Sequence, residues 1–206
     1  MYKILTVLIP TTEDNVKGPI LTNLTQPEIE VRIIGGKRKT TVAEAIKDVA
    51  IKRNVGLISR TPWITFLDDD DTWLSDHWTQ LYPTMLSVED KVQVLITLPT
   101  EFPHIKDSAN LLRYLIHMES IPICSITMRK NCFVELGGFN ISLPHSDVWD
   151  LLLRCYLLHG IDSIVILSKH TWKYNMTRTG LATMLAKDPN INVFEDRRKW
   201  LSQYAL

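Results

Sequence analysis

Apolar and polar positions along this 206-residue chain fall into short apolar runs separated by amphipathic stretches. Four runs of the first half predict strands, at residues 4–9, 29–34, 63–67 and 92–98, and the second of them also carries Glu30 and Arg32. Between the second and third runs, apolar residues recur at helical spacing, at positions 42, 45, 46, 49 and 50. Thr41 and Glu44 form a capping box at the start of this helix, and Ser75 is a candidate cap for the next one. This order predicts an α/β fold with a mainly parallel sheet flanked by helices.

The second half of the chain is less regular, but it continues the same alternation. It predicts helices at 108–116, 148–159 and 195–204, and strands at 121–128 and 163–167. No repeat, linker or low-complexity segment interrupts the pattern. We therefore expect one domain over residues 1–206.

The strongest chemical feature is an apolar run that ends abruptly in four consecutive carboxylates, Asp68, Asp69, Asp70 and Asp71. A buried strand that delivers acids to its carboxyl end is the usual site geometry of open α/β sheets. Adjacent carboxylates repel one another unless a cation relieves them, and hard divalent cations prefer oxygen ligands. The segment therefore predicts a divalent metal site, with a solvated acidic turn as the alternative.

Composition and charge exclude some classes of protein. The chain is 45% apolar and 22% charged, and 23 basic residues balance 23 acidic ones, so no global field favours nucleic acid or an anionic membrane. The basic clusters at 37–39 and 197–199 are interpreted as solvated faces. Cys124, Cys132 and Cys155 lack paired metal-ligand spacing and predict reduced core thiols. Reduced thiols are typical of a cytoplasmic protein. No stretch has the length of a membrane span, and peripheral membrane association is left open.

Five short blocks follow one another along the chain in a distinctive order. They are 7–11 (VLIPT), 53–56 (RNVG), 66–73 (FLDDDDTW), 128–140 (MRKNCFVELGGFN) and 147–154 (DVWDLLLR). In this order and spacing the chain resembles the family 2 glycosyltransferases over its length up to about residue 160. The resemblance implies the nucleotide-diphospho-sugar transferase (GT-A) fold. It also implies metal-dependent, inverting transfer from a nucleoside-diphosphate sugar.

The resemblance assigns roles to individual residues. Asp70 would ligate Mn²⁺ or Mg²⁺, and Asp147 would be the base that takes the proton of the acceptor hydroxyl. Asp150 and His145 are further candidates for the base. The residues expected to bind the nucleotide sugar are Pro10, Thr11, Thr12, Arg53, Asn54, Asp68, Asp69, Trp73, Gly138 and Arg178.

One departure from the family concerns the nucleobase. The family's second strand usually ends in an acid that reads uracil, whereas here it runs into Gly35-Gly36-Lys37-Arg38. A UDP-sugar is the expected donor, with another nucleotide left open. We expect residues 1–100 to bind the donor and 101–206 to face the acceptor. That acceptor is a glycan, a lipid-linked sugar, a protein or a modified nucleic-acid base.

Two other functions fit parts of the sequence. Residues 68–72 (DDDDT) match the motif of haloacid-dehalogenase-like phosphatases, in which Asp68 would be the nucleophile. That motif normally follows the first strand, however, and the RNVG and GGFN blocks would be unexplained. The other function is that of a non-catalytic binding subunit with a degenerate transferase fold.

Overall fold

The computed structural model describes residues 2–11, 23–36, 42–99, 121–143, 146–173 and 192–202. Its strands are β1 (Leu5–Pro10), β2 (Ile29–Ile34), β3 (Trp63–Phe66), β4 (Thr72–Trp73), β5 (Val94–Pro99), β6 (Ile126–Arg129) and β7 (Ile164–Lys173). Its helices are α1 (Val42–Arg53), α2 (His77–Ser87), α3 (Lys130–Glu135), α4 (Asp147–His159) and α5 (Val193–Leu201). Short 3₁₀ turns cover Asn54–Ile58, Ile123–Ser125 and Ile161–Ser163.

The described strands form one seven-stranded sheet in the order β2-β1-β3-β6-β5-β7-β4. β1 runs parallel to β2 and β3, and β5 runs parallel to β7. β6 is antiparallel to both β3 and β5, and the short β4 is antiparallel to β7. The carboxyl ends of β1 and β3 therefore lie at the same edge of the sheet as the start of β6.

The core is buried between the sheet and the helices that cover it. Every residue of β1, β3 and β5 is buried, as continuous apolar runs predict for central strands. Trp149 and Phe133 are among the largest fully buried side chains and come from helices α4 and α3. The three cysteines are free and buried, as predicted. None of the described helices combines the length and the apolar character needed to cross a bilayer.

The predicted elements agree with the structure except at some ends, and five of the seven described strands run in one direction, as expected for a mainly parallel sheet. The sheet is mixed in direction, because β4 and β6 run against their neighbours. A run of apolar residues carries no information on strand direction, and the parallel rule applies only where a crossover joins two strands. The predicted strand 121–128 is a 3₁₀ turn followed by β6, and α2 begins after Asp76 rather than Ser75. The predicted helix 108–116 lies outside the described residues.

Candidate functional site

The acidic segment forms a turn at the carboxyl end of β3. Leu67 continues the parallel ladder through its N–H, which donates to the Leu8 carbonyl at 3.0 Å, and the chain then leaves the sheet. The turn closes where the Asp71 N–H donates to the Asp68 carbonyl at 3.1 Å. Asp70 is exposed, Asp68 and Asp69 are half-buried, and Asp71 is only 1% exposed. The four adjacent acids thus occupy very different environments.

The buried end of this turn contacts Cys124. The Cys124 thiol donates to Asp71 Oδ2 at 3.0 Å, and the Asp68 N–H donates to Cys124 Sγ at 3.1 Å. Ligand atoms of Asp68, Asp71 and Cys124 all lie within 4.8 Å of one another, close enough to surround one ion. Burial, reinforced by the charges of Asp68 and Asp71, raises the pKa of Cys124 well above its ordinary value. The thiol therefore keeps its proton and serves as a hydrogen-bond donor to Asp71.

Arg53 joins the acidic turn to the start of α4. Its Nη2 lies 2.8 Å from Asp68 Oδ1, and its Nη1 lies 2.9 Å from Asp147 Oδ2. Arg53 is 8% exposed, so its pair with Asp147 is largely shielded from water, whereas the Asp68 side chain of the other pair is 33% exposed. The structure therefore brings together three residues that the sequence analysis singled out separately.

Asn54, which follows Arg53 in the chain, lies against Gly138. The Asn54 amide donates through Nδ2 to the Phe139 carbonyl at 3.0 Å and accepts at Oδ1 from the Phe139 N–H at 2.7 Å. Arg154 donates from Nη2 to the Gly138 carbonyl at 2.8 Å. Both polar atoms of the Asn54 amide thus bind the Phe139 backbone and hold the Gly137-Gly138-Phe139 loop in place.

We expect Gly138→Ala to destabilise the fold much more than Gly137→Ala. Both glycines have positive φ (75° and 74°), which costs an alanine about 1–2 kcal/mol in each case. A Cβ at Gly138 would lie 2.4 Å from Asn54 Oδ1, whereas a Cβ at Gly137 meets nothing within 4 Å. Gly138→Ala should therefore cost about 1–3 kcal/mol more, through the clash and the strained Asn54 hydrogen bonds. Urea unfolding of the two variants measures this difference, and equal losses would contradict it.

Asp147 and Asp150 lie one turn apart near the start of α4, yet their surroundings differ. Asp147 Oδ1 accepts from the Val148 N–H at 2.9 Å, and 12% of its side chain is exposed. Asp150 is completely buried, and both of its contacts with Arg154 are made through Oδ2. Burial raises the pKa of Asp150, although Arg154 partly offsets this effect. Because only Asp147 retains contact with the surface, it is the better placed of the two to exchange a proton with a bound molecule.

Arg197 is a supporting residue that the sequence analysis misassigned. The basic cluster 197–199 was expected to be a solvated face, but Arg197 is 3% exposed, and within the cluster only Arg198 and Lys199 are exposed. Its Nε donates to Ser146 Oγ at 2.8 Å, and its guanidinium lies 5.3 Å from the centre of the Trp149 ring. Burial lowers the pKa of Arg197 to about 10, and the charge of Asp147 opposes that shift. No sequence pattern marks this contact, since it depends on how α5 packs on the start of α4.

Trp73 follows the acidic turn and lies in the core, where it does not line an open surface. It is 1% exposed, and its ring stacks on His77 with centroids 3.9 Å apart. Its backbone pairs with Trp172 in the β4–β7 ladder, and its carbonyl accepts from Asn23 Nδ2 at 2.7 Å. The indole N–H of Trp73 has no hydrogen-bond partner among the described residues. This tryptophan anchors the end of the acidic turn to the sheet.

We expect His77 to make the fold less stable in acid. Burial lowers its pKa to about 3, although a hydrogen bond with the Thr171 backbone opposes that shift. Between pH 6.5 and about 3 the unfolded chain binds a proton at His77 and the folded chain does not. Stability from this group is therefore present above about pH 6.5 and falls by about 1.4 kcal/mol per pH unit below it. Chemical denaturation between pH 4.5 and 7.5 should show a steeper decline for the wild type than for His77→Asn, and parallel curves would contradict this assignment.

The remaining predicted donor residues lie at the end of β1 or outside the described residues. Pro10 and Thr11 are buried, and the Thr11 carbonyl accepts from Lys52 Nζ at 2.8 Å. Lys52, which the sequence analysis missed, is 6% exposed and also pairs with Asp48 at 2.7 Å. Helical spacing alone placed Lys52 on α1 without showing that it reaches β1. The predicted residues Thr12, His145 and Arg178 lie outside the described residues.

No protein-family model matches the sequence, and no curated protein sequence matches it. Several solved structures nevertheless share its fold. Residues 1–349 of S. aureus TarS superpose with a TM-score of 0.60 at 17% identity, covering 82% of this chain and 60% of that one. A mannosyltransferase from Pyrobaculum calidifontis, solved with GDP-Man and Mn²⁺, gives a TM-score of 0.60 at 12% identity, covering 89% and 60%.

A third similar structure is glucosyl-3-phosphoglycerate synthase from Mycobacterium tuberculosis, solved with Mn²⁺, UDP and glucosyl-3-phosphoglycerate. It gives a TM-score of 0.56 at 12% identity, covering 89% of this chain and 79% of that one. The chain thus spans 60% of the length of the TarS segment and of the mannosyltransferase. Its mixed sheet and flanking helices match these neighbours, which shows that the chain has the nucleotide-diphospho-sugar transferase (GT-A) fold.

Proposed function

We propose that this chain is a metal-dependent glycosyltransferase. It moves a sugar from a nucleoside-diphosphate sugar, expected to be a UDP-sugar, to an acceptor hydroxyl. The observation that carries the proposal is the buried Arg53 guanidinium, which pairs with both Asp68 and Asp147 inside a GT-A fold. One side of the site thus holds the acidic turn, and the other holds the acid expected to act as base.

The acidic turn is proposed to hold the divalent cation. The carboxylate oxygens of Asp68 and Asp70 suit Mn²⁺ or Mg²⁺, whereas Asp71 is buried and already accepts a hydrogen bond from the Cys124 thiol. Neighbouring structures of this fold were solved with Mn²⁺ or Mg²⁺ together with UDP. When bound, such a cation neutralises negative charge on the departing nucleoside diphosphate. Asp70 is the expected principal ligand, and Asp68 and Asp69 line the donor side.

Asp147 is proposed to be the general base. In the transfer step, the acceptor oxygen forms a bond to the anomeric carbon while the bond from that carbon to the diphosphate oxygen breaks. The hydroxyl proton passes to the Asp147 carboxylate, whose other contacts hold it in position. A single displacement of this kind inverts the configuration at the anomeric carbon.

The donor nucleotide is proposed to lie along the carboxyl ends of β1 and β3, where ligands of open α/β sheets bind. Pro10 and Thr11 lie at the end of β1, and Gly138 lies in the loop held by Asn54. Residues 101–206 are proposed to face the acceptor, whose class stays open among a glycan, a lipid-linked sugar, a protein and a modified nucleic-acid base. The likeness to sugar transferases favours this function over the phosphatase and the non-catalytic subunit.

Calorimetric titration tests the proposal. UDP, GDP, CDP and dTDP, and their glucose and mannose conjugates, would each be titrated into the protein with and without Mn²⁺. Binding of one nucleoside diphosphate that depends on Mn²⁺ is the expected result, and it identifies the donor base. If no nucleotide binds in either condition, the proposed function is wrong, and a phosphate-release screen would then test the phosphatase hypothesis.

A further inference from the structure

Arg53 is the last residue of α1, and its side chain turns into the protein interior. The residue is 8% exposed, and its guanidinium reaches two acids that come from opposite halves of the chain. Nη1 lies 2.9 Å from Asp147 Oδ2, and Nη2 lies 2.8 Å from Asp68 Oδ1. Each terminal nitrogen therefore serves a different carboxylate, so the guanidinium plane is fixed by both.

The charges of Asp68 and Asp147 explain why a positively charged side chain lies between them. Two partly buried carboxylates this close together would repel each other without a cation between them. Burying an ion without a partner also lowers the stability of the fold. Burial alone lowers the pKa of Arg53, but the charges of Asp68 and Asp147 outweigh that effect and raise it above its ordinary value. The guanidinium therefore stays charged and compensates both acids at once.

The rest of the Arg53 side chain faces protein. Its Nε has no hydrogen-bond partner among the described residues, and its Cζ lies 6.0 Å from the centre of the Phe139 ring. Phe139 belongs to the loop that Asn54, the next residue in the chain, holds through two hydrogen bonds. The Phe139 loop and the two acids together therefore hold the guanidinium in position.

We propose that Arg53 is a positioning residue for the base: it orients the Asp147 carboxylate and ties it to Asp68, and it does not bind the donor itself. This inference rests on the proposed function and adds to it the residue that couples the acceptor side of the site to the donor side. It replaces the role in nucleotide-sugar binding that the sequence resemblance implies for Arg53.

The first test separates positioning from donor binding. Arg53→Lys keeps the charge, but a single ammonium cannot hold two carboxylates in the fork geometry of a guanidinium. We expect kcat for sugar transfer to fall about 10- to 100-fold because the base is misplaced, with KM and the calorimetric Kd for the nucleotide changed less than about threefold. A Kd that rises tenfold or more with little change in kcat would make Arg53 a donor ligand and overturn the proposal.

The second test asks whether Arg53 acts through Asp147. In an Asp147→Asn background, Arg53→Lys should lower the residual rate by no more than about twofold, because residues that act together are not additive. A further loss as large as in the wild type would overturn the proposal. Arg129→Lys is the matched control. Arg129 stacks on Trp63 at the opposite end of β3, with its Cζ 4.7 Å from the ring centre, so its effects should add to those of Asp147→Asn.

A stability measurement keeps the inference testable if the donor is not the expected one. By urea unfolding, the change in the unfolding constant caused by Arg53→Lys should be about tenfold smaller when Asp147 or Asp68 is already Asn. Independent effects on stability would mean that the bridge does not hold the two acids, and would overturn the inference even with the proposed function intact. Coupled effects in a protein that binds no nucleotide would instead retain the bridge and reject the proposed function, and with it the role of Arg53 in positioning the base.

Discussion

Replacing Asp147 with Asn is expected to lower the rate of sugar transfer by about 10²- to 10⁴-fold while nucleotide affinity stays within a fewfold of the wild type. Asparagine keeps the shape of the side chain and can still accept from the Val148 N–H. It cannot take up the proton of the acceptor hydroxyl. Steady-state transfer assays with the donor identified by calorimetry would measure the rate, and the same titration repeated on the variant would measure the affinity.

Asp150→Asn is the matched control for this prediction. Asp150 lies in the same helix turn but is completely buried and paired with Arg154. Its replacement should cost about 3 kcal/mol of stability, since it removes the buried charged partner of the half-buried Arg154. At a temperature where the variant is folded, transfer should remain within about tenfold of the wild type, because an enclosed carboxylate cannot meet the acceptor. If Asp150→Asn were inactive and Asp147→Asn remained active, the prediction would be wrong and Asp150 would be the base.

Asp70→Ala is expected to abolish the dependence of nucleotide binding on Mn²⁺. The variant should bind the nucleoside diphosphate in Mn²⁺ as weakly as the wild type binds it in EDTA, a loss of about 10- to 100-fold. Because Asp70 is exposed on the turn, its removal should leave the fold intact. Calorimetry with and without the metal gives the affinities, and a thermal unfolding curve confirms that the variant is folded.

Cys124→Ser separates the proposed oxygen ligands from the group of Asp68, Asp71 and Cys124. Serine can donate to Asp71 in place of the thiol, so the buried carboxylate keeps its hydrogen bond. Affinity in Mn²⁺ should therefore change less than about threefold in this variant, against the large loss in Asp70→Ala. If Cys124→Ser loses the Mn²⁺ dependence and Asp70→Ala retains it, the cation is held at the buried end of the turn instead.

The elements that the sequence predicted well are those whose side chains repeat with a clear period or form an uninterrupted apolar run. β1, β2, β3 and α4 lie within a residue or two of the predicted bounds. Continuous burial explains this for β1 and β3, whereas the half-buried β2 is marked by its β-branched residues. β6 was predicted too long, because the buried residues Ile123, Cys124 and Ser125 form a 3₁₀ turn. Burial alone does not distinguish such a turn from a strand.

Residue order alone indicates that acids follow a buried strand, that Asp147 stands near the start of an apolar helix, and that the chain alternates strands and helices. Each of these properties depends on residues that are close together in the chain, so the sequence pattern is enough to predict it. Packing of the folded chain was needed to show that Arg53 joins Asp68 to Asp147, that Trp73 is buried against His77, and that Arg197 binds Ser146. The contacts of Arg53 and Arg197 join residues from different parts of the chain, and the energy of a charge depends on its burial and partners, which packing alone establishes.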